Sequence, residues 1–255
     1  MRAALIVVTF LLAHLAFAEG VEETWKEGHS HQGHAFNDGP RQAGPLLGNT
    51  GEVHFPMTTE WVEGQDYFNQ GVGQLHGFWY YEAERSFRNV LAHDSKCLMA
   101  YWGLAMANWE NEKRALEFLK KGQEIRKDSR ATEREKRYFD SYARFFSEKP
   151  KDKKERIKRL ISDLENIIID FPNDLEAKAF FVCHQWQFNR GGQKNGGFVS
   201  LDAVLDQIFA KSPMHPAHHY RIHLWDYKKA AKAIESAARL GSTAPTIAHM
   251  WHMPS

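Results

Sequence analysis

The sequence predicts an all-α fold, helical hairpins stacked into a solenoid (an α-α superhelix), and three observations carry that expectation. Tyr67, Gly71, Ala83, Phe87 and Ser95 place an aromatic, two small residues, a large apolar residue and a turn at the steps of a two-helix repeat. Tyr101, Leu104 and Ala105 restart the pattern, and Tyr101 lies 34 positions after Tyr67, the period of the tetratricopeptide unit. The closing half then recurs as Leu160, Leu164 and Pro172, and again as Leu201, Leu205 and Pro213. A hairpin cannot bury its apolar stripe alone; small residues let neighbouring helices approach, large ones fill the groove, and stacking completes the core.

At the N-terminus, Arg2 precedes an apolar run from Ala3 to Phe17 that ends in Ala16-Phe17-Ala18, the pattern of a signal peptide over 1-18. Export follows as an expectation, with a periplasmic or secreted mature chain and no later apolar stretch long enough for a membrane span. Residues 19-60 are rich in Gly, Pro, His and Asn with little periodicity, and are expected to form an extended segment, disordered or draped over the repeats. The repeat domain is expected over 61-255. The 33 basic and 32 acidic residues nearly cancel, so no overall field directs the chain to nucleic acid or to an anionic membrane.

Within the repeats, Ala115 to Ile125 and Tyr138 to Phe146 read as amphipathic helices. The charge-dense stretch 149-159 interleaves acids and runs into Ile157, Leu160, Ile161 and Leu164, the pattern of a solvated helix face rather than a nucleic-acid patch. Arg190 to Gly197 is Gly-rich but lacks the Lys-Ser/Thr ending of a phosphate loop, and reads as a connection between helices. Cys97 and Cys183 sit among apolar neighbours, where a cysteine ordinarily acts as a small buried hydrophobe; export leaves a disulfide open.

The 14 histidines are the feature this fold does not require. His29, His31 and His34 alternate along a flexible stretch and form one candidate metal-binding group. The main candidate combines two pairs. His219 and His223 fall four apart on a helix expected to start at Pro216, with Asp226 continuing the face to orient a ring or act as a base. His249 and His252 fall three apart on the next short helix. Zinc or copper is the candidate ion, since imidazole suits both. Packing histidines, bonded to backbone or to Tyr and Asp side chains, are the alternative. Trp61, Phe78, Trp79, Tyr80 and Tyr81 are the candidate anchors for a protein or peptide partner, aromatic core being the alternative.

Several segments resemble a family of exported bacterial tetratricopeptide proteins, familiar from planctomycete-type genomes: His29-Ser-His-Gln-Gly-His34 and its continuation to Arg41, Phe68 to Phe78, Ala100 to Ala105, His215-Pro-Ala-His-His-Tyr-Arg-Ile-His223, and His249-Met-Trp-His-Met-Pro-Ser255. The resemblance implies a helical repeat scaffold and export, and no particular reaction. In similar sequences the last motif runs on into another His and a further helix, so truncation at Ser255 is an expectation. Two functions are thus in view. One is an exported scaffold that binds a protein or peptide in its groove; the other is a metal-binding protein or a metal-dependent hydrolase-like activity built on the clustered histidines.

Overall fold

The computed structural model describes residues 34-40, 42, 44-147, 153-192 and 196-254. The expected leader at 1-18, His29, His31 and Ser255 lie outside the described residues, as does the side chain of His34. Two compact units divide at Gln42 and Ala43. In the first, a single turn of helix, α1 (His34–Asn37), stands where the sequence suggests extended chain.

In the second unit every regular element among the described residues is helical: α2 (Gly64–His76), α3 (Tyr80–His93), α4 (Leu98–Ala107), α5 (Glu112–Ile125), α6 (Glu133–Ser147), α7 (Lys153–Asp170), α8 (Leu175–Arg190), α9 (Phe198–Phe209), α10 (His218–Lys229), a 3-10 turn (Ala230–Ala233), α11 (Ile234–Thr243) and α12 (Ala248–His252). Each helix packs on its successor in sequence, and α2 on α4, α4 on α6 and α8 on α10 pack one further along. The result is a contiguous, repeat-like stack of helices.

Most of the helical positions that marked the repeat pack into the core, whereas Tyr67 is half-buried and the turn positions Ser95, Pro172 and Pro213 are exposed. Ala83, Phe87, Leu104, Ala105, Leu160, Leu164, Leu201 and Leu205 are fully or almost fully buried. Gly71 and Gly103 explain why small residues recur: a Cβ on either would come within 2.6 or 2.5 Å of the Phe87 ring, which is wedged between α2 and α4. Phe68, Phe87, Trp102, Tyr138, Tyr142 and Phe180 continue this core, and each such buried ring contributes about 1.5–3 kcal/mol. Asn111 and Asp174 cap α5 and α8 through their side chains. Within 149-159 the expected apolar positions Ile157, Leu160, Ile161 and Leu164 are buried, and so is Arg156, whose guanidinium donates to the carbonyl of Phe145 at 2.9 Å.

Residues 44-60 form no helix and lie across the stack, held by side chains of α2 that read their backbone. Gln70 accepts from Leu47 N–H at 2.6 Å and donates to Pro45 carbonyl at 2.9 Å. Asn69 accepts from Phe55 N–H at 3.2 Å, and Gln65 accepts from Met57 N–H at 2.9 Å. Glu135 of α6 receives both the N–H and the hydroxyl of Thr58. Phe55, 0% exposed, plugs this strap into the core against Phe68, Trp102 and Tyr138. Cys97 and Cys183 are free and buried.

Candidate metal centre

α10 does not start at Pro216, as the sequence suggests, but at His218. The cause is local: His215 Nδ1 accepts the N–H of Ala217 at 3.1 Å, which holds Pro216 and Ala217 in a turn ahead of the helix. From His218 onward the spacing acts as expected, and His219 and His223 lie on one side of α10. The turn between α11 and α12 returns His249 to them. One ring nitrogen from each of His219, His223 and His249 lies within 4.8 Å of the other two.

Hydrogen bonds decide which nitrogens in this trio are bare. His219 Nδ1 lies 2.7 Å from the backbone carbonyl of His76, and a carbonyl can only accept, so Nδ1 carries the proton and Nε2 offers its lone pair. That Nε2 lies 3.2 Å from Nε2 of His249, from which it accepts a hydrogen bond when the His249 proton is on Nε2, and beside which it can meet an ion when that proton is on Nδ1. Two nitrogens on a tetrahedral ion at zinc-like bond lengths stand about 3.3 Å apart. His223 turns Nδ1 toward the Asp226 carboxylate at 3.7 Å, while its Nε2 is buried without a hydrogen-bond partner. A buried nitrogen left this way costs about 1–3 kcal/mol, and an ion shared by the trio removes that cost. The residues therefore fit a metal ion.

The electrostatics suit lone-pair donors. Burial, with help from His223, pushes His219 down to about 3. Burial lowers His223 against the opposing pull of Asp226, and burial with the charge of His252 lowers His249. All three rings are held neutral, which a metal ligand requires.

A second group, His76, Glu176 and His215, is just as compact and is fully buried. Its tautomers point to a different role. Because His215 Nδ1 accepts from Ala217, its proton sits on Nε2 and is donated to Glu176 Oε1 at 3.1 Å. His76 Nε2 lies 2.6 Å from Glu176 Oε2, and its Nδ1 lies 2.6 Å from the Tyr220 hydroxyl. Burial would raise the Glu176 carboxyl, but the two histidines facing it hold it below its ordinary value; burial lowers His76. Glu176 is thus an ionised acceptor for two N–H donors, and the nitrogens of this group are occupied by hydrogen bonds. Buried His218 is satisfied likewise, between Ser236 Oγ at 2.8 Å and the Pro213 carbonyl at 2.9 Å.

Of the sequence candidates, the fold brings His219, His223 and His249 together and sets Asp226 behind His223. His252 is exposed and outside the trio. The aromatic candidates separate. Trp61 stacks on Tyr67 and His93 ahead of α2, whereas Phe78 to Tyr81 follow its far end; 13 residues of helix put about 20 Å between them. Phe78 belongs to the histidine site: its ring centroid lies 4.5 Å from His219, 5.8 Å from His223 and 6.1 Å from His249. Its φ of 54°, unusual for a bulky residue, aims the ring there. Tyr80 is half-buried, its hydroxyl pKa raised by burial, and Tyr81 is exposed.

Sequence reasoning missed Glu176, His76 and Trp186, whose ring stacks on His223 at 4.4 Å, and offered Phe78 as a partner anchor rather than as the cover of the histidines. Phe68 to Phe78 held the one available signal, a histidine just before Gly77-Phe78. Comparison with protein-family models, with curated proteins and with solved structures finds no match. Fold and site together define a class only: an all-helical protein with a compact group of histidines, His219, His223 and His249, that could hold a metal ion.

Proposed function

We propose that this protein is an exported, tetratricopeptide-like helical scaffold that binds one zinc or copper ion on His219, His223 and His249. The observation that carries the reading is the tautomer of His219, whose Nδ1–H donates to a backbone carbonyl so that the Nε2 lone pair faces His249 Nε2 at 3.2 Å. Asp226 serves as the carboxylate behind His223: in the ring that burial keeps neutral, it favours the tautomer with its proton on Nδ1, which leaves Nε2 for the ion. Three imidazoles leave one position of a tetrahedral ion for water or a ligand, the arrangement that a hydrolase-like activity needs. Elemental analysis of untagged protein, repeated on His219→Ala, tests the reading. Wild type should carry close to one ion per chain and the variant none; sub-stoichiometric metal in both retires it.

A second reading, peptide binding, is supported by a cleft of about 680 Å³ lined in part by Phe78, Tyr80, Trp109 and Trp186. It is the weaker one, because the strap 44-60 already occupies the carboxamide face of α2 that would read an extended backbone. A panel of extended peptides that shows no saturable binding by calorimetry counts against it.

A further inference from the structure

We propose that the protein has a separate ligand site, for a small planar organic anion, in the cleft of about 490 Å³ between α8, α9 and α10. Cavities of roughly 300–1,000 Å³ with mostly apolar walls and a few convergent polar groups are the usual form of small-molecule sites. Here Trp186, Phe198 and Leu224 supply apolar wall, and the His223 ring, stacked on Trp186, forms part of the lining.

Charge selects the occupant. Arg190 and Lys228 both line the cleft, each set over one of its aromatic walls: Arg190 is 5.9 Å from the Trp186 ring centroid and Lys228 is 5.0 Å from that of Phe198. Among the described residues neither is ion-paired with a carboxylate. Nearby cations are: Arg221 pairs with Asp202 and Asp206, and Lys232 reaches Asp202 at 3.9 Å. The one carboxylate in the lining, Asp226, has one oxygen accepting the Tyr227 N–H at 2.7 Å and the other facing His223, and its single charge against the two cations leaves the lining net positive. Two unpaired cations over aromatic walls match a flat apolar body lying between Trp186 and Phe198 with its carboxylate at the mouth. The guanidinium fork of Arg190 suits a planar two-oxygen acceptor in particular. The cleft shares His223 with the metal centre but needs no ion, since the walls and cations are all side chains of this chain.

The test is calorimetry on the full chain, stripped of metal with a chelator, using 2-naphthoate and its neutral analogue 2-naphthylmethanol. Naphthoate should bind at least tenfold more tightly than the alcohol, and Arg190→Gln/Lys228→Gln should erase that preference while melting like wild type. Equal binding of the two probes, no binding of either, or a preference that survives the double substitution overturns the proposal. Metal content of the double variant, compared with that of His219→Ala, reads the metal centre separately, so failure of one site is not mistaken for failure of the other.

Discussion

His219 gives its Nδ1 proton to the backbone carbonyl of His76, 143 residues earlier in the chain, at 2.7 Å. This bond joins the end of α2 to α10 and fixes which nitrogen of His219 is free. The two compact histidine groups differ in that respect: in one, three ring nitrogens face each other and that of His223 has no hydrogen-bond partner, whereas in the other every ring nitrogen is spent on a hydrogen bond.

Exchanging the two groups in turn therefore has opposite results. His249→Ala should lower zinc affinity by at least a hundredfold, measured by competition with a chromophoric chelator, with little change in melting. Glu176→Ala should leave metal content intact if the protein still folds, yet cost about 3 kcal/mol or more in denaturant titrations, because His76 and His215 lose the acceptor for charge-assisted hydrogen bonds in a dry interior. Metal lost from Glu176→Ala but retained by His249→Ala would reverse the assignment.

His252→Ala should keep its metal. The ring is exposed, lies outside the trio and lowers His249 through its charge, so stoichiometry by elemental analysis should match wild type.

Stability without metal should fall as pH is lowered through the histidine range. His219 is pushed down to about 3, and His184 and His218 to about 4, all chiefly by burial. The unfolded chain takes up protons below its ordinary histidine value near 6.5, while these folded rings do not. Each such ring thus removes about 1.4 kcal/mol per pH unit between roughly 6 and 4. The loss is absent above about pH 7. Glu176, also held below its ordinary value, adds to the loss in the same direction, but only as acid reaches the carboxylate range and below. Chemical denaturation at pH 7.5, 6 and 5 measures the slope; a flat profile would show that the buried rings accept protons.

Gly103→Ala should destabilise, although alanine ordinarily improves a helix by about 1 kcal/mol. The added methyl meets the Phe87 ring at 2.5 Å, with the ring itself confined by Gly71 on the other helix. Overpacking of this kind costs about 1–3 kcal/mol, read as a drop in melting temperature of several degrees. Gly103→Ala with Phe87→Leu should recover part of the loss.

Phe78→Gly should speed metal removal by a chelator by tenfold or more. It takes away the ring that covers His219, His223 and His249, while the relief of a left-handed backbone offsets some of the lost packing. An unchanged release rate would mean that Phe78 does not shield the centre.

The helices were legible because apolar spacing is a local property. Leu160 and Leu164, or Ala83 and Phe87, declare a buried face whatever they pack against, and α5, α6 and α9 fall within a few residues of where periodicity puts them. The same logic placed His219 and His223 on one face. It could not separate His215 and His218 from them, since all four stand in one short motif and the difference lies in partners: Ala217 and Glu176 for one, Ser236 and Pro213 for another. The strap was open between disorder and docking because the groups that hold it, Gln65, Asn69 and Gln70, look like ordinary polar residues on a helix surface.

By itself the sequence determined that the chain is helical, which helical positions are apolar, and that histidines crowd toward the C-terminal part. Tertiary structure alone decided which rings meet, which nitrogen of each keeps a lone pair, and that a carbonyl at the end of α2 sets the proton on His219. The reason is that helical period acts over three or four residues, whereas a tautomer is fixed by whatever acceptor the folded chain places within about 3 Å, however distant in sequence.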